Sequence, residues 1–187
     1  MDDAISLYGL NPLVVKPLSP TELVIGPRSP HIALNFKKGS TIRLYAYKTL
    51  AFHGEAKVLE LRKVDDVKPY QALTKFIRDD YGLVFFKPGP ACYRVTLDRP
   101  VQAESGDMTM CSDVSAARGL LVKNNFFYNN WANAIRATFV EGAVVDNVFE
   151  HCGQLKIAPS LPWLNGTFPR DVRVSGNVLR NLRRAMV

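Results

Sequence analysis

Three segments of the chain share one pattern: a Val, two residues, an Asn, one residue, then Phe or Leu. They are Val122-Lys-Asn-Asn125-Phe-Phe127, Val144-Val-Asp-Asn147-Val-Phe149 and Val174-Ser-Gly-Asn177-Val-Leu179. The asparagines stand 22 and 30 residues apart. A unit recurring at this period cannot bury its own apolar side alone, so neighbouring units stack and share one core.

Units of this length match the coils of a right-handed parallel β-helix of the pectate-lyase-like kind, expected from about Asp113 to Val187. Each coil contributes short strands whose alternate side chains point inside, and like residues stack about 4.8 Å apart. Val122, Val144 and Val174 are expected to form one column, and Phe127, Phe149 and Leu179 another. Asn125, Asn147 and Asn177 are expected to form a turn ladder, because Asn tolerates left-handed backbone and its amide can bond to the coils on either side. Their role is read as structural. The longer spacing is assigned to a loop insertion at Pro159 to Pro169.

Ahead of the repeats the texture changes. Ile5 and Leu7 alternate as in a short strand ending at Gly9, and Pro12, Pro17 and Pro20 then punctuate the chain. Short strand-like runs follow at Glu22 to Ile25, His31 to Phe36, Thr41 to Tyr47, Ala56 to Leu61, Leu83 to Phe86 and Tyr93 to Leu97. Lys38-Gly39-Ser40 and Pro88-Gly89-Pro90 read as turns, and Tyr70 to Asp80 as a short helix. The expected architecture is all-β: a coil segment over 1–17, an inserted small antiparallel β-barrel or sandwich over 18–108, and β-helix coils over 109–187.

The apolar share of 47% and charged share of 22% over 187 residues are those of a soluble globular chain. No apolar run is long enough to cross a bilayer, and Met-Asp-Asp-Ala-Ile lacks the basic and apolar regions of a signal peptide. Neither a membrane nor a nucleic acid is expected as partner. The net charge of +7 comes from residues spread along the chain, and the densest group, Arg170, Arg173, Arg180, Arg183 and Arg184, falls on positions expected to face different ways. The three cysteines, Cys92, Cys111 and Cys152, form no CxxC, so neither zinc nor any other cofactor is expected. Cys152 reads as a buried free thiol.

Four stretches resemble, in order, elements of the glycoside hydrolase family of α-1,3-galactosidases that act on blood-group-B-type sugars. Asp2-Asp3-Ala4-Ile5-Ser6-Leu7-Tyr8-Gly9 resembles its Asp-Asp-Gly/Ala-Ile-Asn-x-His-Gly element. Ala117-Arg118-Gly119-Leu120-Leu121-Val122 resembles its Ala-Arg-Gly-Ile/Leu-Leu-Val strand. Phe139-Val140-Glu141-Gly142, followed by Val145-Asp-Asn147-Val-Phe149, resembles a segment ending in Glu and the coil after it. A barrel-like insertion after the first stretch is a further shared feature. Two departures stand out: Tyr8 replaces the family's His, and the chain begins where family members carry further coils. The implied picture is a fragment of a longer, secreted or extracellular parent, with an open end suited to forming a homodimer.

The resemblance implies hydrolysis of terminal α-1,3-linked galactose by inversion, without metal, on an oligosaccharide or polysaccharide. Glycoside hydrolysis needs two carboxyl groups across the scissile bond, roughly 6.5–9.5 Å apart for inversion. Asp2 and Asp3 are the expected acid/base region, with Glu141 a third candidate. Arg118 is a candidate for a bidentate hold on a carboxylate or sugar hydroxyl. Trp131 and Trp163, both on loops, are candidate platforms for a sugar ring. Each has a plainer alternative: a solvated terminus for Asp2 and Asp3, a turn for Glu141, a surface ion pair for Arg118, and packing over the coils for the tryptophans. Asn165-Gly166-Thr167 is a glycosylation sequon. The rival functions are another β-helix polysaccharide hydrolase or lyase, and a non-catalytic carbohydrate-binding or structural β-helix. The Gly-His-Gly and Arg-Ile-Lys elements of polygalacturonases are absent from the sequence.

Overall fold

The computed structural model describes residues 3–27, 34, 36–47, 49–64, 92–111, 117–159 and 165–183. Asp2, Trp163, most of the His31 to Phe36 run, the Tyr70 to Asp80 segment, the Leu83 to Phe86 run and the Pro88-Gly89-Pro90 turn lie outside them. Within them the protein is all-β, with no helix. Contacts divide it into two units: residues 1–9, 116–159 and 166–187 in one, residues 10–115 and 160–165 in the other.

The second unit is a closed antiparallel barrel in the order β2-β3-β6-β5-β4-β7. Its strands are β2 (Leu13–Ser19), β3 (Glu22–Gly26), β4 (Thr41–Tyr45), β5 (Phe52–Val64), β6 (Cys92–Leu97) and β7 (Met108–Cys111). Alternation fills it: Leu23 and Ile25, Ile42 and Leu44, Ala56 and Val58, Val95 and Leu97 all point into one buried cluster. Two of its strands depart from the sequence expectation. Leu13 to Pro17 belongs to the barrel, not to the coil segment, because β2 pairs with β3 from Leu13 to Ser19. The proline is accommodated because β7 pairs with β2 only at Leu13, which leaves Pro17 a single strand neighbour beside a bulge. Met108 to Cys111 likewise pairs with β4, so the barrel runs past residue 108.

The first unit is built from parallel pairings. One sheet has the order β1-β11-β14, with β1 at Ile5–Leu7, β11 at Asn133–Ala137 and β14 at Gln154–Lys156. A second places β12 (Phe139–Val145) between β15 (Arg170–Ser175) on one side and β8 (Ala117–Arg118) with β9 (Leu121–Lys123) on the other. A third has the order β10-β13-β16, at Phe126–Tyr128, Val148–Glu150 and Val178–Arg180. The chain visits the three sheets in the same sequence each time, advancing one strand per visit.

The repeat segments stack in register. Val144 pairs with Val122 on one side and Val174 on the other, and Phe149 stands between Phe127 and Leu179. The Phe127 and Phe149 rings stack with centroids 4.8 Å apart. The Asn147 side-chain oxygen accepts the Asn125 amide N–H at 2.9 Å, and the Asn177 oxygen accepts that of Asn147 at 2.9 Å. Cys152 is a buried free thiol.

The corners have a shared backbone solution. Asn124, Asp146 and Gly176 all carry positive φ, as do Asn129, His151 and Asn181 at the next corner. A third set, Gly119, Glu141 and Asp171, bends the strands of the second sheet. Gly, Asn and Asp enter left-handed backbone at the least steric cost, which accounts for their recurrence at these points. Gly153 answers to another constraint: an added Cβ would lie 1.4 Å from the Ala132 carbonyl oxygen, so the chain there tolerates no side chain.

Candidate functional site on the first sheet

The β1-β11-β14 sheet separates apolar from polar residues by strand alternation. Ile5, Ile135 and Leu155 pair across it and face the buried cluster. Ser6, Arg136 and Lys156, each one residue further along, form the row on the opposite face. The Asp3 and Asn133 side chains and that of Gln154 join this row.

Asp3 is the centre of the arrangement, with its side chain 6% exposed. One carboxylate oxygen accepts the Asn133 backbone N–H at 3.1 Å and also the Asn133 side-chain amide. The other accepts the Ser6 hydroxyl at 3.2 Å and lies 3.8 Å from the Arg136 guanidinium. The Asn133 side-chain oxygen in turn accepts the Gln154 amide. Arg136, 16% exposed, places its guanidinium carbon 4.9 Å from the Tyr8 ring centroid. The Lys156 ammonium is held below its usual range, first by burial and then by the Arg136 charge, with Asp3 opposing.

At the other end stands Trp131, 56% exposed. Its indole N–H donates to the Asn129 side-chain oxygen at 3.1 Å, and the Arg183 guanidinium stacks 3.2 Å from its ring centroid. This pair forms a ridge between two clefts. The first, about 380 Å³, is lined by Trp131, Ala132, Asn133, Gly153, Gln154 and Arg183. The second, about 320 Å³, runs along Tyr128, Asn129, His151 and Asn181.

Asn133 links the two groups: it holds the Asp3 carboxylate and lines the cleft beside Trp131. Glu141 and Arg118 do not join them. They lie on the second sheet and bind each other at 2.6 Å, about half exposed. Glu141 occupies a left-handed bend, φ 56°, in line with Gly119 and Asp171, so its position is explained by the turn and the ion pair. Asp2 and Trp163 lie outside the described residues. The sequon also fails physically: Asn165 and Thr167 are 3% and 5% exposed, leaving no room for a glycan.

Sequence reasoning missed Asn133, Arg136, Gln154, Lys156 and Arg183. The signal that could have found them was incomplete: Asn133 and Gln154 are 21 residues apart, one short of the 22 between Asn125 and Asn147, and only the irregularity between Asn133 and Ile135 brings the two amides into register. Among the described residues, no group of three or more His, Cys, Asp or Glu is placed to hold a metal ion. No protein-family model matches the chain, and no curated protein sequence matches it.

Proposed function

We propose that the parallel-stranded unit is a set of coils of a right-handed parallel β-helix, and that its first sheet binds a saccharide as part of a carbohydrate-active enzyme, a glycoside hydrolase acting on α-linked galactose. Right-handedness is the rule for connections between parallel strands of one sheet. The stacked valines, aromatics and asparagines support the coil reading. The observation that carries the function is the cleft that sets an exposed tryptophan beside a pair of amides, one of which holds a sheltered carboxylate. Amides and charged groups bond sugar hydroxyls in directed pairs, and an indole offers the apolar face of a sugar ring a flat partner.

In this reading Asp3 is oriented by Asn133, Ser6 and Arg136 so that its position is fixed before substrate arrives. Inversion calls for a second carboxyl at roughly 6.5–9.5 Å, and Asp2 is the residue assigned that part. Glu141 is left out, since Arg118 already holds it on another sheet. A second reading, a binding module without turnover, is favoured by one observation: both Asp3 oxygens are already engaged within the protein.

Calorimetric titration of the full chain with α-galactosides tests the shared part of both readings. Binding is expected, and Trp131→Ala should weaken it about tenfold. Turnover of an α-1,3-galactoside that disappears in both Asp2→Asn and Asp3→Asn supports the hydrolase; binding without turnover supports the module. Absence of binding at millimolar sugar rejects both.

A further inference from the structure

Two cations stand side by side in the polar row of the first sheet. Arg136 and Lys156 are register neighbours on adjacent strands, and both are substantially withdrawn from water. The Asp3 carboxylate is set against both. Arg136 shares it at 3.8 Å, while the Lys156 ammonium has neither a hydrogen bond nor an ion pair among the described residues. A half-buried cation beside a second cation is unfavourable unless an opposite charge arrives. Burial first, and the Arg136 charge second, hold the Lys156 ammonium below its usual range.

The row has a direction. Gln154 lines the cleft beside Trp131, and Lys156 lies two residues further along the same strand and face, about 6.6 Å away. A sugar seated against Trp131 and the Asn133–Gln154 amides would therefore present a substituent of the same or the next ring to Lys156. A neutral hydroxyl there leaves the cation uncompensated, whereas an anionic group neutralises it and takes a charge-assisted hydrogen bond.

We infer that the first-sheet site selects an anionic saccharide, whose carboxylate or sulfate ester is received by Lys156 beside Arg136. This rests on the saccharide reading above and narrows its substrate class. The shared chemistry is an oxyanion on a sugar ring, and the two sources, uronic acid and sulfated sugar, are separate arms of the test.

The experiment titrates the full chain with three oligosaccharides of equal length: neutral galactosyl, uronate-containing and sulfated. At least one acidic ligand should bind about tenfold more tightly than the neutral one. Lys156→Gln should abolish that preference, and Lys156→Arg should retain it. Amide spectra of each variant establish that the fold is kept. Equal affinity of the wild type for all three ligands overturns the inference and leaves saccharide binding standing. A preference that survives in Lys156→Gln also overturns it. Failure to bind any of the three removes the saccharide reading and the inference with it.

Discussion

Asn147 is fully buried, and its amide is bonded on all sides. Its oxygen receives the backbone and side-chain amides of Asn125, and its nitrogen reaches the carbonyls of Val122 and Val145 and the Asn177 side-chain oxygen. Removing it strands several buried backbone groups at once, each costing about 1–3 kcal/mol. Asn147→Ala is therefore expected to lower stability by about 3 kcal/mol or more in urea unfolding, and Asn177→Ala by clearly less, since Asn177 is only half-buried. Equal losses would contradict the stacked ladder. Glu141 gives the opposite expectation. Its left-handed backbone favours glycine by about 1 kcal/mol, and its exposed ion pair with Arg118 contributes about as much or less. Glu141→Gly should leave the unfolding midpoint nearly unchanged, and saccharide binding intact. Lys156 adds a pH dependence. Its folded pKa lies below the unfolded value of 10.5, so the unfolded chain binds the proton more readily. Stability then falls as pH drops through the window below 10.5 and is fully diminished beneath the folded pKa. Unfolding at pH 7.5 and pH 10 should show Lys156→Gln gaining stability relative to wild type at the lower pH, with the gain shrinking at the higher.

At the level of strands, protection follows position within each sheet. β11, β12 and β13 each have a partner on both sides, and their apolar residues are buried: Ile135, Val144 and Phe149 are all fully enclosed. β15 and β16 have one described partner each, and Val174, Val178 and Leu179 are 38%, 41% and 42% exposed. Amide hydrogen exchange should be slowest in the middle strands and much faster in β16. Uniform protection would mean that β16 is covered by something further. The strands themselves were readable to different degrees. Glu22 to Ile25 and Tyr93 to Leu97 alternate plainly, and the repeat asparagines marked the corners, although the left-handed backbone falls one residue earlier, at Asn124, Asp146 and Gly176. β2 was hidden because Pro17 signals a break, and only the one-sided pairing of that stretch lets a strand carry it.

For the molecule as a whole, the barrel enters the chain between β1 and β8. One repeat later, the corresponding corner between β11 and β12 is a single residue, Thr138. Its N–H donates to the Leu7 carbonyl at 2.8 Å, and its carbonyl accepts the Ala117 N–H at 3.3 Å. The two ends of the insertion therefore meet the same residue. Replacing residues 10–115 with a short glycine-rich linker is expected to leave the parallel strands folded, as judged by circular dichroism, with saccharide affinity retained. A shortened chain that does not fold would mean that the strands depend on the barrel.

The sequence by itself determined the stacking. Matching Val, Asn and aromatic positions recur along the chain, and a repeated core shows in the match between its segments. It determined the all-β class for a similar reason, since alternation is local. Only the tertiary structure decided the site. Asp3 and Asn133 are 130 residues apart, and they meet because β1 pairs with β11 across the intervening barrel, a closure that no local pattern encodes. The same holds for Arg183 over Trp131 and for the separation of Glu141 from Asp3: a residue's face is written in its neighbours, but its company depends on which strand is laid beside it.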